Sequence, residues 1–132
     1  MLPAVRLDHV GIAASELAGQ PLVEALGGVD GLTQMPSGVA VSRFGPDARV
    51  ELVTPARPGS PIEGFLAQRG PGLHHVAFQV DEPLASVLEQ LAEDGIEAVG
   101  EIVPSSDGRP CVFLHPRTTG GILVELVQGP RP

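Results

Sequence analysis

Four side chains of the kinds that bind divalent metals recur in the same order in the two halves of the chain. His9 and Glu51 belong to the first half, and His75 and Glu125 to the second. Two imidazoles with two carboxylates suit Zn, Ni, Co, Mn or Fe, and four protein ligands leave two positions of an octahedral ion open. The four residues therefore predict a centre that holds one ion and two adjacent oxygens of a substrate.

An internal repeat sets these residues apart from ordinary strand residues. Residues 7–13, with His9 in the middle, read like residues 73–79 around His75, and residues 50–53 around Glu51 read like residues 124–127 around Glu125. A single histidine in a strand is more often structural than a ligand. Because both residue types recur at corresponding places, we interpret them as a shared site of two diverged copies.

Strand alternation predicts which side chains face this site. His9 shares its face with Gly11, and His75 shares its face with Ala77, so small neighbours leave room for a ligand. His74 points to the opposite face, and only His75 of that doublet is expected to bind. Each glutamate lies between apolar residues, where a buried carboxylate is costly unless a charge or a metal compensates it.

Apolar periodicity predicts the same βαβββ order in each half, hence an α+β fold. We expect a first module over residues 1–58, a connector helix within 59–72 and a second module over 73–132, together one domain. The connector has the form of a helix start, in which Ser60 caps, Pro61 takes the first turn and Glu63 can close a capping box. Helices are predicted over 17–26 and 83–94, and strands over 7–13, 38–44, 48–54, 73–80, 96–103, 111–115 and 121–127.

Composition excludes several classes of function. The net charge of -8 disfavours nucleic acid and anionic membrane surfaces. The chain has no lysine, which excludes Schiff-base chemistry and leaves arginine to meet any anionic ligand. Cys111 lies in an apolar run and is predicted to be a core residue. No signal peptide and no apolar span of about 20 residues are evident, so we predict a cytoplasmic protein.

The motifs together resemble the vicinal oxygen chelate superfamily, the fold of glyoxalase I, and within it the methylmalonyl-CoA epimerases. The resemblance extends over nearly the whole chain and is strongest from residue 58 onward. It rests on the segments at 8–13, 60–66, 72–78, 113–121 and 123–126.

The resemblance implies a function and roles for residues. His9, Glu51, His75 and Glu125 fall on the family's metal positions, with Glu51 where some members carry Gln. The ion is expected to be Co, with Ni, Zn or Mn as alternatives. The implied reaction is proton abstraction and reprotonation at C2 of methylmalonyl-CoA or a similar 2-substituted acyl-CoA thioester, with Glu125 as one base and a metal-stabilised enolate.

The resemblance also implies substrate-binding residues and an assembly. Arg117, with Gly120 and Gly121 in the same loop, is expected to bind a substrate carboxylate or a CoA phosphate. Dimers are common in this superfamily, and a homodimer is the expected assembly.

One departure from the family pattern keeps other functions open. Several of these epimerases carry a second glutamate on the strand after a Gly-Val pair, and Val41 stands at that place here. A glyoxalase I-like lyase or isomerase, acting on a glutathione hemithioacetal, needs only one well-placed base. A non-catalytic small-molecule-binding protein of the same fold is the third possibility, although such proteins typically lack the four ligands.

Overall fold

The computed structural model describes residues 2, 4–17, 20–27, 29–45 and 47–132. By contacts the chain divides into a first unit, residues 9–74, and a second unit, residues 1–8 with 75–132. The predicted module boundaries at 58 and 73 refer to the sequence repeat and stay a prediction. None of the described helices combines the length and apolar composition needed to cross a membrane.

The βαβββ order is confirmed in both halves, and the fold class is α+β. The first half contains β1 (Arg6–Ala13), α1 (Pro21–Leu26), β2 (Val29–Gln34), β3 (Val39–Phe44) and β4 (Val50–Pro55). The connector is α2 (Pro61–Arg69). The second half contains β5 (Gly72–Val80), α3 (Leu84–Glu93), β6 (Ala98–Pro104), β7 (Pro110–Leu114) and β8 (Val124–Gln128).

Strand pairing repeats as well. The strand order is β2-β3-β4-β1 in the first half and β5-β8-β7-β6 in the second. The parallel pairs are β1 with β4 and β5 with β8, and the other pairs within each half are antiparallel. Each half therefore has its histidine strand beside its glutamate strand.

Each of the helices α1, α2 and α3 packs against its own hydrophobic cluster. In the first unit, α2 places Ile62 against Ala13, Val41 and Val53. Ala14, Phe44 and Leu52 form a separate cluster with Val23 of α1. In the second unit, α3 packs with β7 and β8 through the largest cluster, which comprises Val80, Leu84, Val87, Leu91, Val112, Leu114 and Leu126. Cys111 is a buried core residue, as predicted, packed with Ala77 and Val127.

The predicted helix over 17–26 is too long, since α1 starts at Pro21. Gln20 before it is extended, with φ −75° and ψ 115°, because a residue that precedes proline is disfavoured in the helical region. Residues 18 and 19 of that prediction lie outside the described residues. Strand β2 was not located by its pattern, since it contains Gly31 and a bulge between Asp30 and Leu32.

The start of α2 is close to the prediction. The Ser60 hydroxyl accepts a hydrogen bond from the Ile62 N–H at 3.3 Å, and Pro61 takes the first position. The Glu63 carboxylate accepts from the Gly59 N–H at 3.0 Å, one residue earlier than a capping box requires. The last strand, β8, begins at Val124 and not at 121. The chain still turns at Gly120 and Gly121, which both have positive φ.

Candidate active site

The first unit pairs His9 with Glu51. The parallel register sets Gly11 opposite Glu51, and His9 lies two residues before Gly11 on the same face. His9 Nε2 lies 3.2 Å from Glu51 Oε2, and both side chains are buried. An imidazole is therefore a direct partner of this buried carboxylate, and Gly11 adds no side chain between the two strands.

The second unit repeats this arrangement with His75 and Glu125. Ala77 is opposite Glu125, and His75 again lies two residues earlier on the same face. His75 Nε2 is 3.8 Å from Glu125 Oε2, and both side chains are buried. This separation between the two atoms exceeds hydrogen-bond length. The sequence repeat thus corresponds to the same His–Glu register in both halves.

The antiparallel neighbours of the two glutamates differ. Arg43 on β3 is opposite Glu51, with its Nε 3.7 Å from Glu51 Oε2. Phe113 on β7 is opposite Glu125, and its ring packs edge-on against the His75 ring with centroids 5.6 Å apart. One carboxylate therefore has a cation beside it, and the other has an aromatic ring.

His74 belongs to the other face, as predicted. Its ring contacts Phe65 edge-on, with centroids 4.9 Å apart. Burial lowers the pKa of His74 below its ordinary value because the charged imidazolium loses hydration. Of the doublet, His75 is the histidine that pairs with a buried carboxylate.

The loop with Arg117 leads directly into β8 and Glu125. Arg117 is exposed in a short 3₁₀ turn (Pro116–Thr118), and its guanidinium makes no ion pair with the described residues. Gly120 and Gly121 have φ of +74° and +90°, a region that favours glycine. The Gly121 N–H donates to the Pro116 carbonyl at 2.7 Å, which closes the turn. Substrate binding by this loop stays a prediction.

A buried ion-pair network beside the site was missed by the sequence reasoning. Arg109 donates from Nη1 to Asp8 Oδ1 at 2.8 Å and from Nη2 to Asp8 Oδ2 at 3.1 Å. It also donates to both carboxylate oxygens of Asp107. Arg131 donates to the Asp8 carbonyl at 2.8 Å. Asp8, with an exposed fraction of 1%, precedes His9 and points to the opposite face.

The hydrogen bonds of this network shift the pKa values of Arg109 and Asp107. Burial opposes the charge on Arg109, but its hydrogen bonds to Asp8 and Asp107 raise its pKa further above the ordinary value. Burial likewise opposes the charge on Asp107, and the hydrogen bonds from Arg109 and Ser105 lower its pKa to about 2. The signal available in the sequence was Asp8 itself, since alternation aims a carboxylate at the core face.

The fold consists of two βαβββ modules, each with a buried His–Glu pair. Comparison with known protein families identifies the class of small α+β proteins that has this organisation. The model of the Glyoxalase/Bleomycin resistance protein/Dioxygenase superfamily matches residues 8–113. The chain belongs to this superfamily, and the predicted resemblance is confirmed.

Several relatives are epimerases. The chain is 38% identical to the ethylmalonyl-CoA/methylmalonyl-CoA epimerase of Cereibacter sphaeroides, over 93% of this chain and 97% of that protein. It is 37% identical to the mitochondrial methylmalonyl-CoA epimerase of Homo sapiens, over 93% of this chain and 73% of that protein.

Solved structures agree with these relatives. Methylmalonyl-CoA epimerase from Mycobacterium tuberculosis has a TM-score of 0.77 and 28% identity, over 94% of this chain and 87% of that chain. A methylmalonyl-CoA epimerase solved in complex with methylmalonyl-CoA and NH4+ has a TM-score of 0.80 and 27% identity, over 95% of this chain and 94% of that chain.

The donor chemistry fits a divalent metal. His9, His75 and Glu125 offer imidazole nitrogens and a carboxylate oxygen, and all three are buried. Imidazole and carboxylate together suit Zn, Ni, Co, Mn or Fe. By donor type, each of these side chains can bind a divalent ion, and the donor types do not specify which ion.

Proposed function

We propose that the protein is a metal-dependent epimerase of methylmalonyl-CoA or a similar 2-substituted acyl-CoA thioester. The observation that carries the proposal is the buried His–Glu pair at the same register in both halves. Relatives at 37–38% identity with epimerase names support the choice of reaction. A buried carboxylate is costly unless a positive charge or a metal compensates it, and a divalent ion would compensate both glutamates.

The metal would be held by His9, Glu51, His75 and Glu125. Both glutamates already have an imidazole nitrogen within 4 Å in their own unit, at 3.2 and 3.8 Å. In each unit the imidazole nitrogen and the carboxylate oxygen would both serve as donors to a divalent ion. The ion supplies Lewis-acid stabilisation of the negative charge that develops on the thioester oxygen.

Glu125 is the proposed base that removes the C2 proton. A carboxylate has two oxygens, so one can bind the ion while the other accepts a proton. Its neighbour Phe113 packs against His75, and so limits the positions open to the imidazole. Arg117, Gly120 and Gly121, in the loop before β8, would bind the carboxylate or CoA phosphate of the substrate.

The second proton transfer of an epimerase needs its own acid, and Val41 stands at the place where several epimerases carry a glutamate. Inversion at C2 needs an acid on the face opposite to the base. Val41 is in register with Val53, packs with Ile62 of α2, and has an exposed fraction of 8%. A hydrocarbon cannot transfer a proton, and this observation favours glyoxalase I-like chemistry with a single base as the second candidate function.

The test is to incubate metal-loaded protein with one epimer of methylmalonyl-CoA in D₂O. Deuterium uptake at C2 is followed by NMR, and configuration by a stereospecific coupled assay. Uptake with inversion supports the epimerase, with water or another group as the second acid. Uptake without inversion supports one working base. If no divalent metal gives uptake, the epimerase proposal fails and a glutathione hemithioacetal becomes the substrate to assay.

Metal identity, assembly and compartment stay predictions. Co is the expected ion, with Ni, Zn or Mn as alternatives, and activity of the apoprotein reloaded with each ion ranks them. A homodimer is the expected assembly and is measured by light scattering. A cytoplasmic location is expected and is tested by cell fractionation. A protein that binds acyl-CoA without exchange at C2 would support the non-catalytic alternative.

A further inference from the structure

Arg43 is a basic side chain on the sheet face that carries His9 and Glu51. It lies directly opposite Glu51 in the antiparallel register, and the two side chains therefore project to the same side of the sheet. The side chain is 15% exposed, which leaves it neither sealed in the core nor fully solvated. Its position is thus within reach of a molecule that binds at the proposed metal ligands of this unit.

The other arginines are engaged elsewhere or lie at the surface. Arg109 and Arg131 contact Asp8. The remainder are exposed or on other elements: Arg6 with Asp81, Arg49 with Asp47, Arg57 with the Pro36 carbonyl, Arg69 over the Phe65 ring, and Arg117 in the loop before β8. Arg43 has a guanidinium nitrogen 3.7 Å from Glu51, one of the four proposed ligands.

The overall charge of the chain makes a local cation favourable for binding an anionic acyl group. The chain has a net charge of -8 and no lysine. Methylmalonyl-CoA has a free carboxylate on C2, next to the reacting bond, in addition to its phosphates. The two glutamates offset the charge of a divalent ion, so a guanidinium beside them adds attraction for the free carboxylate of the substrate.

A guanidinium that already contacts one carboxylate can bind another. It has five N–H donors in a planar fork. Arg109 of this chain contacts both Asp8 and Asp107 in this way. We propose that Arg43 binds the free carboxylate of the substrate and so selects dicarboxylic acyl-CoA thioesters over acyl-CoA thioesters without that carboxylate. This inference rests on the proposed function and deepens it.

The test compares two ligands that differ in that carboxylate. Affinities of the metal-loaded protein for methylmalonyl-CoA and propionyl-CoA are measured by calorimetry for wild type and Arg43→Gln. We expect the variant to lose about tenfold to 100-fold in affinity for methylmalonyl-CoA, with propionyl-CoA affinity unchanged. Arg49→Gln removes the same charge at an exposed position and is expected to change neither affinity.

A double variant separates substrate binding from support of Glu51. In Arg43→Gln with Glu51→Gln no charge is left buried alone, so this protein also serves if the single variant fails to fold. The inference predicts that methylmalonyl-CoA affinity remains low in the double variant relative to Glu51→Gln. Recovery of affinity, or an equal loss for both ligands, would overturn it and make Arg43 a positioning residue for Glu51.

Failure of the epimerase proposal is distinguishable from failure of this inference. Wild-type protein without preference for methylmalonyl-CoA over propionyl-CoA overturns the role of Arg43, whatever the exchange assay in D₂O gives. An Arg43-dependent preference without exchange at C2 supports the carboxylate site and refutes the epimerase.

Discussion

The two glutamates that occupy equivalent register positions have unequal surroundings. Glu51 has the imidazole of His9 and the guanidinium of Arg43 beside the same oxygen, Oε2. Glu125 has His75 at a longer distance, with Phe113 opposite it. The guanidinium of Arg43 beside Glu51 favours its charged form, which suits a metal ligand, whereas the register position opposite Glu125 is taken by an aromatic ring.

Substitution of each glutamate by glutamine should separate the two roles. Glu125→Gln is expected to slow deuterium exchange at C2 by about 10²–10⁴-fold, because an amide cannot accept the proton. Glu51→Gln should reduce exchange much less, since an amide oxygen still binds a metal. The measurement is single-turnover exchange in D₂O, with thermal unfolding as a check on folding. Equal losses in the two variants would contradict the assignment of Glu125 as the base.

At the level of elements, the Asp8–Arg109 ion pair joins β1 to the residue that immediately precedes β7. The two residues are 101 positions apart, and Arg109 also donates to the Gly129 carbonyl at 3.0 Å. Since Asp8 immediately precedes His9, this contact holds the β1 backbone next to a proposed ligand. The network therefore has a structural role that reaches the site through one peptide bond.

Loss of Arg109 should cost more stability than loss of Asp8. Arg109→Met leaves two carboxylates without their guanidinium, one of them almost fully buried, and is expected to lower the free energy of unfolding by about 3–5 kcal/mol. Asp8→Asn leaves Arg109 with Asp107 and should cost less. Urea unfolding of both variants and of the double variant measures the coupling. Additive effects would mean that the pair contributes nothing beyond its separate side chains.

The same network should make the free energy of unfolding depend on pH in the acidic range. Burial by itself would raise the pKa of Asp107, but the hydrogen bonds from Arg109 and Ser105 outweigh it and lower the pKa to about 2. The contribution of Asp107 is therefore fully present above its ordinary pKa and is lost as pH falls from about 4 to about 2, since the unfolded state binds the proton first. The prediction is checked by urea unfolding of wild type and Asp107→Asn across this range.

The matched control for this pH dependence is Asp47→Asn. Asp47 accepts a hydrogen bond from the Arg49 N–H, as Asp107 does from the Arg109 N–H, but its side chain is 65% exposed. The stability difference between wild type and Asp107→Asn should shrink on acidification. An unchanged difference, or one matched by Asp47→Asn, would count against the Asp107 contribution.

At the level of the whole molecule, the two His–Glu pairs raise the question of how many ions the chain binds. The repeat predicts that both pairs serve one ion, since each pair alone offers only two ligands. Structural and catalytic sites for such metals usually have three or four protein ligands. The stoichiometry is therefore a direct test of the repeat as a functional unit.

We expect one divalent ion per chain by metal analysis after dialysis. His9→Ala and His75→Ala should each abolish binding and the rise in melting temperature that the metal produces, because ligand binding to the native state stabilises it. His74→Ala is the control, since that ring packs against Phe65, and should keep both. Two ions per chain, or loss of only half the metal in each variant, would refute a shared ion.

Much of the fold follows from local patterns in the sequence. Alternation assigns His9, His75 and their small neighbours to one face, because successive side chains of a strand point in opposite directions. The start of α2 follows from Ser60 and Pro61, because they meet the bonding needs of the first helical turn. The register of Glu51 and Glu125 against the histidine strands is consistent with the repeat that the sequence displays.

Other features were decided by the tertiary structure alone. Strand β2 has little apolar pattern and is defined by its pairing with β3. The partner of Asp8 is 101 residues away, and Arg43 meets Glu51 only because β3 pairs with β4 in one particular register. Local sequence determines which way a side chain points. Which side chain lies across from it depends on strand pairing and packing between distant segments, and these set the charges around the proposed ligands.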